Sequence, residues 1–230
     1  MPALDIAAFA LFAACWLFYQ PLLGAMSRRH GGAINTDMTV IRTAWMRNMA
    51  ARKDRFLDGQ LLGHALNSAS FFASSNLILI AASASALFGG ENTFRSVSAL
   101  QVIQTSSRLL FELQLALVLL TLARGLLDFI WSIRQMNYCI AAVGAAPEML
   151  TEGEARDYGA MAARLLNPAL SSFNAGVRGY YFALAAAAWL FGAWPFMAAT
   201  LGAMAILLWR QRRSPAAGAI ADLRKALEDR

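Results

Sequence analysis

The stretch from Leu109 to Ile140 reads LLFELQLALVLLTLARGLLDFIWSIRQMNYCI. A helix needs about 20 mostly apolar residues, rising 1.5 Å each, to cross the hydrocarbon of a bilayer, and this run is long enough. It nevertheless carries Glu112, Arg124 and Asp128 inside its apolar length. An ionised side chain in hydrocarbon costs at least ~3 kcal/mol unless it is paired or wetted. The segment is therefore expected to be buried among other helices, not ringed by lipid. Gln114, Thr121, Asp128 and Gln135 recur every seven residues and drift only about 20° per heptad on a straight helix, so they make one polar stripe. Arg108 and Arg124 each stand four residues before an acid, Glu112 and Asp128, which offers both acids a partner one turn away. Two readings follow. Either the pairs neutralise each other and fix helix packing, or the stripe faces a cavity where an ion or solute would meet it.

The rest of the chain has the same character. Of 230 residues, 58% are hydrophobic and 15% charged, with mean hydropathy +0.47. Soluble domains average roughly 45–50% apolar and about 25% charged. The fold class expected is all-α, a polytopic transmembrane helical bundle with amphipathic interfacial helices. The net charge of +6 flanks apolar blocks and comes with no recognition motif, so nucleic acid is not an expected partner; anionic lipid and positive-inside topology account for it. Cys15 and Cys139 lie in or near apolar runs without metal-binding spacing. The N-terminal MPALDIAAFALFAACWLF has no basic leader region, which reads as an uncleaved first helix.

Upstream of the central stretch, a first membrane segment is expected at about 3–26, with Pro21 as a possible kink and Gly31-Gly32 as punctuation. A basic amphipathic helix is expected at about 36–58, where Met38, Ile41, Trp45 and Met49 recur at helical spacing among arginines. It could lie on the membrane surface or pack on the same protein, and both readings stand. A second segment, about 61–88, is rich in serine and asparagine; Asn67, Ser70 and Ser74 share one face. Such residues serve helix–helix contact in lipid, or wet a pathway.

Downstream, Gly144-Ala145-Ala146-Pro147 stops the central helix. Thr151 and Glu154 form a capping box for a short helix at about 151–166, with a break at Asn167-Pro168. The apolar run that follows is too long for one crossing, and Gly192-Ala193-Trp194-Pro195 signals a turn, giving segments at about 178–192 and 195–210. Lys and Arg number seven in 27–64, four in 134–178 and six in 210–230. A hairpin puts all three regions on one side, with the N-terminus outside and the C-terminus in the cytoplasm. Arg134, Gln135, Asn137, Tyr138, Asn174 and Arg178 would then gather at the cytoplasmic mouth, to hold lipid headgroups or to anchor helix ends.

Several strings together resemble the integral membrane family Domain of Unknown Function 599. They include Asp58-Gly59-Gln60-Leu61-Leu62, Ser70-Phe71-Phe72-Ala73-Ser74, Phe129-Ile130-Trp131-Ser132, Arg134 to Cys139, and Phe173-Asn174-Ala175-Gly176-Val177-Arg178. The resemblance runs from about Arg42 to Arg213. It implies a multi-pass membrane protein and carries no activity with it.

No hydrolase elbow, phosphate loop or metalloprotease helix occurs, and His30 and His64 stand far apart in one basic segment. The expectation is not an enzyme, with no catalytic residue, cofactor or metal. The first functional reading is a homo-oligomeric protein of the bacterial inner membrane, passing an ion or small solute. Its pathway would be lined by Asn67, Ser70, Ser74, Glu112, Gln114, Thr121, Arg124 and Asp128. The alternative is a non-transporting scaffold or accessory subunit that binds partner helices and anionic lipid.

Overall fold

Helix ends in this chain follow its caps. The computed structural model describes residues 3–30, 34–98 and 107–229 and is all-α there. Its elements are α1 (Ala3–His30), α2 (Ile34–Ala51), α3 (Phe56–Phe88), α4 (Gly90–Ser98), α5 (Arg108–Gly144), α6 (Glu152–Ala187), a 3-10 turn (Ala188–Phe191), α7 (Ala193–Arg212) and α8 (Pro215–Glu228). Among the described residues, four helical stretches are long and apolar enough to cross a bilayer: Ala3–Gly24, Phe56–Phe88, Arg108–Gly144 and, within Ala193–Glu228, chiefly α7. The Gly31-Gly32 punctuation lies outside the described residues.

Two expected boundaries are corrected, and one helix is added. The basic helix ends at Ala51, not near residue 58, because the Asp54 carboxylate accepts the Phe56 N–H at 2.8 Å and opens α3 there. Asp58 is consequently a first-turn residue of α3. Asn167-Pro168 does not end a helix: α6 runs through it. The Asn167 amide donates to Thr43 of α2 at 3.4 Å, and Ser132 of α5 donates to the Ala169 carbonyl at 2.7 Å. Packing on both sides of Pro168 thus holds a helix that the missing N–H would otherwise interrupt. Pro21 likewise sits inside α1. Finally, the C-terminal tail forms α8, which sequence reasoning missed although Ser214-Pro215 is a cap followed by a first-turn proline; the Ser214 hydroxyl accepts the Ala217 N–H at 3.2 Å. The Thr151–Glu154 box forms as expected. Thr151 donates its N–H and hydroxyl to the Glu154 carboxylate at 2.9 and 2.7 Å, which holds that carboxyl below its usual range.

The chain divides into two compact units. Unit 1 comprises residues 1–28, 74–126 and 176–208, and unit 2 the remainder. Unit 1 holds only Asp5, Arg28, Glu91, Arg95, Arg108, Glu112, Arg124 and Arg178 of the chain's 20 basic and 14 acidic residues. Composition therefore separates the units as well as packing does: unit 1 is nearly free of charge and unit 2 carries most of it.

Within unit 1 the helices alternate in direction. Asn76, early in the α3 portion, donates to the Leu122 carbonyl, late in the α5 portion, at 2.9 Å. Gln114, early in α5, donates to the carbonyl of Trp189, which follows α6, also at 2.9 Å. At the start of α1, Asp5 accepts the Trp189 indole N–H at 2.8 Å, while Arg178 lies over the Tyr19 ring at 5.6 Å. So α1 and α5 both run antiparallel to α6. Phe182 and Phe196 both pack their rings on Phe12, although a continuous helix would hold them about 21 Å apart. The chain must reverse between them. Gly192, at φ 110°, is where it does so, in a conformation that L side chains rarely adopt. The stretch 178–192 is thus the end of α6 plus the 3-10 turn, not a helix of its own.

Unit 2 has its own core. Met46 and Met49 of α2, Leu62 of α3, Cys139 and Val143 of α5, and Ala162, Ala163 and Leu166 of α6 pack together. Phe72, Phe129 and Phe173 form a second contact, with ring centroids 5.6–5.9 Å apart. On α2, Asp37, Arg42, Met46, Met49 and Ala50 are buried, and Asp37 pairs with Arg224 of α8 at 3.2 Å. Of the two readings of the basic helix, packing on the same protein is the one observed. Burial also pushes the Arg42 guanidinium below its ordinary pKa.

Candidate functional site

The densest polar constellation is in unit 2, where α2 ends and α3 begins. Residues 52–55 carry Arg52, Lys53, Asp54 and Arg55 through a four-residue break between the helices. Asp58 points back under that break and is fully buried. It accepts the Trp45 indole N–H at 2.7 Å and the Arg52 guanidinium at 2.9 and 3.1 Å. Its place in the first turn of α3 adds the favourable field of the helix N-terminus. Arg52 is 46% exposed, so the ion pair is solvent-screened and the indole bond does most of the holding. We expect Asp58→Ala to lower stability by about 3 kcal/mol, because a buried donor then lacks an acceptor, and Arg52→Gln by less than ~1 kcal/mol. Thermal unfolding of the detergent-solubilised protein checks both.

Arg55 makes the second part. Its guanidinium donates to four backbone carbonyls: Met49 at 3.3 Å, Ala50 at 3.2 Å, Ala146 at 2.6 Å and Pro147 at 2.6 Å. The first two belong to the last turn of α2, whose carbonyls have no helical donors. The other two belong to the loop after α5. One side chain therefore closes α2 and ties it to the α5–α6 connection.

Beside this clamp is a cavity of about 410 Å³, within the range of small-molecule sites. Lys53, Arg55 and Glu148 supply its charges, and Phe56, Leu62, Ile140 and Val143 its apolar wall. Among the described residues, no three metal-binding side chains come together.

The expected pathway residues are distributed differently. Gln114 and Thr121 are buried in unit 1; Gln114 holds Trp189, and the Thr121 hydroxyl donates to the Leu117 and Val118 carbonyls of its own helix. Glu112 pairs with Arg108 at 2.8 Å, as the spacing predicts, near the beginning of α5. Neither Arg124 nor Asp128 is without an interaction; Arg124 falls near the end of the unit 1 portion of α5 and Asp128 in unit 2. The α5 residues between Glu112 and Arg124 carry no charge. Asn67, Ser70 and Ser74 are exposed on α3. The polar stripe of α5 is thus internal in its first half, while the serine face of α3 points outward.

The expected mouth residues each have their own surroundings. Arg134 donates to the Tyr138 hydroxyl at 2.7 Å, and both are exposed. Asn174 reaches Asn35 at 3.5 Å. Arg178 is buried in unit 1 over Tyr19. Gln135 is half-buried and Asn137 exposed.

Sequence reasoning missed Asp5, Asn76 and Trp189 in unit 1, and Asp58 and Arg55 in unit 2, as organising groups. Asp58 offered a signal, an acid three residues into a long apolar helix. Asn76 offered none, being one polar residue among many in α3. No curated protein and no solved structure matches this chain. The family model described as protein of unknown function, DUF599, covers residues 7–216, and the chain therefore belongs to that family.

Proposed function

We propose that this protein is a non-transporting membrane scaffold, held in the bilayer by unit 1, which associates with a second copy of itself through the outward face of α3. The supporting observation is the contrast between α5 and α3. Gln114 and Thr121 of α5 are buried and spent on packing, whereas Asn67, Ser70 and Ser74 are exposed on a helix apolar enough to span a bilayer. Small and weakly polar residues favour close helix contact in lipid and gain hydrogen-bond partners there. With α6 as a fifth pass, the three Lys/Arg-rich regions would share one side, which supports an outside N-terminus and a cytoplasmic C-terminus in a bacterial inner membrane whose anionic lipid meets the basic regions.

The test is oxidative cross-linking in membranes of Ser70→Cys and Ser74→Cys, with Cys15 and Cys139 buried and hence quiet. A covalent dimer at either position is the expected result. No cross-link at either, with a monomeric mass in mild detergent, would overturn self-association, and a stoichiometric co-purified protein would replace the second copy with a partner.

An ion or solute pathway is the second reading. It is favoured by Asp128 and Gln135, which are only half-buried. It requires flux from liposomes containing the purified protein, reduced by Asp128→Asn or Arg124→Gln.

A further inference from the structure

We propose that the cavity beside Arg55 holds the headgroup of a phospholipid carrying both a phosphate and an ammonium, with its chain lying along the apolar wall. The proposal rests on the membrane reading of unit 1 and adds a ligand class to it. Three observations point the same way.

The first is charge. Lys53 and Glu148 both line the cavity, and among the described residues neither has a hydrogen bond or ion pair within the protein. Arg55 contributes positive potential, but its N–H groups are occupied by four carbonyls. A site with one available cation and one available carboxylate fits a dipolar ligand: phosphate toward Lys53, ammonium toward Glu148. A plain anion would leave the carboxylate opposed.

The second is the wall. Phe56, Leu62, Ile140 and Val143 line the same cavity as those charges, as an amphiphile requires and a free metabolite such as inorganic phosphate does not.

The third is what surrounds it. Phe56 is 72% exposed, and Met149, next to Glu148, is 84% exposed. Large apolar side chains exposed among charged ones are the composition of a surface that meets the headgroup region of a bilayer.

The experiment uses the full chain in nanodiscs and native mass spectrometry of retained lipid. Phosphatidylethanolamine, phosphatidylglycerol and phosphatidylcholine are offered in equal amounts, with inorganic phosphate in a separate arm. Phosphatidylethanolamine should be retained at least ~10-fold over the others, and Lys53→Gln and Glu148→Gln should each remove that preference. Val143→Trp, which narrows the cavity, should weaken retention; thermal unfolding verifies that each variant is folded. Phosphatidylglycerol retention that depends on Lys53 and rises with Glu148→Gln would overturn the dipolar ligand. Equal retention by wild type and Val143→Trp would overturn the site. A chain that is monodisperse without detergent would instead overturn the membrane reading beneath it.

Discussion

Arg55→Ala should cost about 3 kcal/mol or more, the largest loss expected from any single charge removal in this chain. Hydrogen bonds from a charged donor are worth about 1.5–3 kcal/mol each when their loss leaves an acceptor bare. Arg55 makes four, at 2.6–3.3 Å. They do not add, since the Pro147 carbonyl is exposed and water can replace the donor there. The Met49 carbonyl keeps a donor in the Arg52 N–H at 3.2 Å, whereas the Ala50 and Ala146 carbonyls are part-buried and would be left without one. Arg55→Lys should recover less than half of the loss: an ammonium is a compact donor and cannot span acceptors on two elements as a planar fork does. Thermal unfolding in detergent, with protease sensitivity at residues 144–151 as a local readout, separates loss of the clamp from global failure. Unfolding temperatures within 2 °C of wild type for Arg55→Ala would show that the carbonyls find other donors.

Arg55 also marks how far the sequence can be read. The all-α membrane class, the long central helix, the capping box and the turn near Gly192 follow from periodicity, length and cap chemistry, all local signals. Arg55 and Ala146 are 91 positions apart, and nothing near either residue announces the other. The same holds for Asp5 and Trp189, joined by one hydrogen bond at 2.8 Å. The α5 stripe shows the complementary failure. Its seven-residue spacing is real, yet periodicity says only that residues share a face, not what that face meets. Gln114 meets a backbone carbonyl. The premise that charge must be answered by protein holds at Arg108–Glu112. Asp128 belongs to the unit that carries most of the charge. Pro168 misled for a related reason: a local breaker was overruled by packing from α2 and α5.

Gly159→Ala should be destabilising by about 2 kcal/mol even though alanine is the better helix former. In the interior of α6, helix propensity alone favours alanine by about 1 kcal/mol. A Cβ at Gly159, however, would overlap the backbone of α2 at Arg47 and Met46. Backbone cannot rotate away as a side chain does, so the helices must separate, and overpacking of this kind costs about 1–3 kcal/mol, here beyond the propensity gain. Two other classes of glycine calibrate the effect. At Gly125 a Cβ would stand 3.3 Å from the Asn76 side-chain nitrogen and 3.5 Å from the Gly176 carbonyl. The amide can shift slightly, so Gly125→Ala should fall near neutral, within about 1 kcal/mol of wild type. At Gly63 of α3 and Gly202 of α7 nothing lies within 4 Å, and the propensity term acts alone, so alanine should stabilise by about 0.5–1 kcal/mol. Thermal unfolding of the four variants in one detergent should therefore rank Gly159→Ala well below wild type, Gly125→Ala near it, and the other two above it. The ranking tests close approach of α2 and α6 more sharply than any single value. If Gly159→Ala matched Gly63→Ala, the two helices would have to stand apart at that crossing, and the core built from Met46, Met49, Ala162 and Ala163 could not be packed as described.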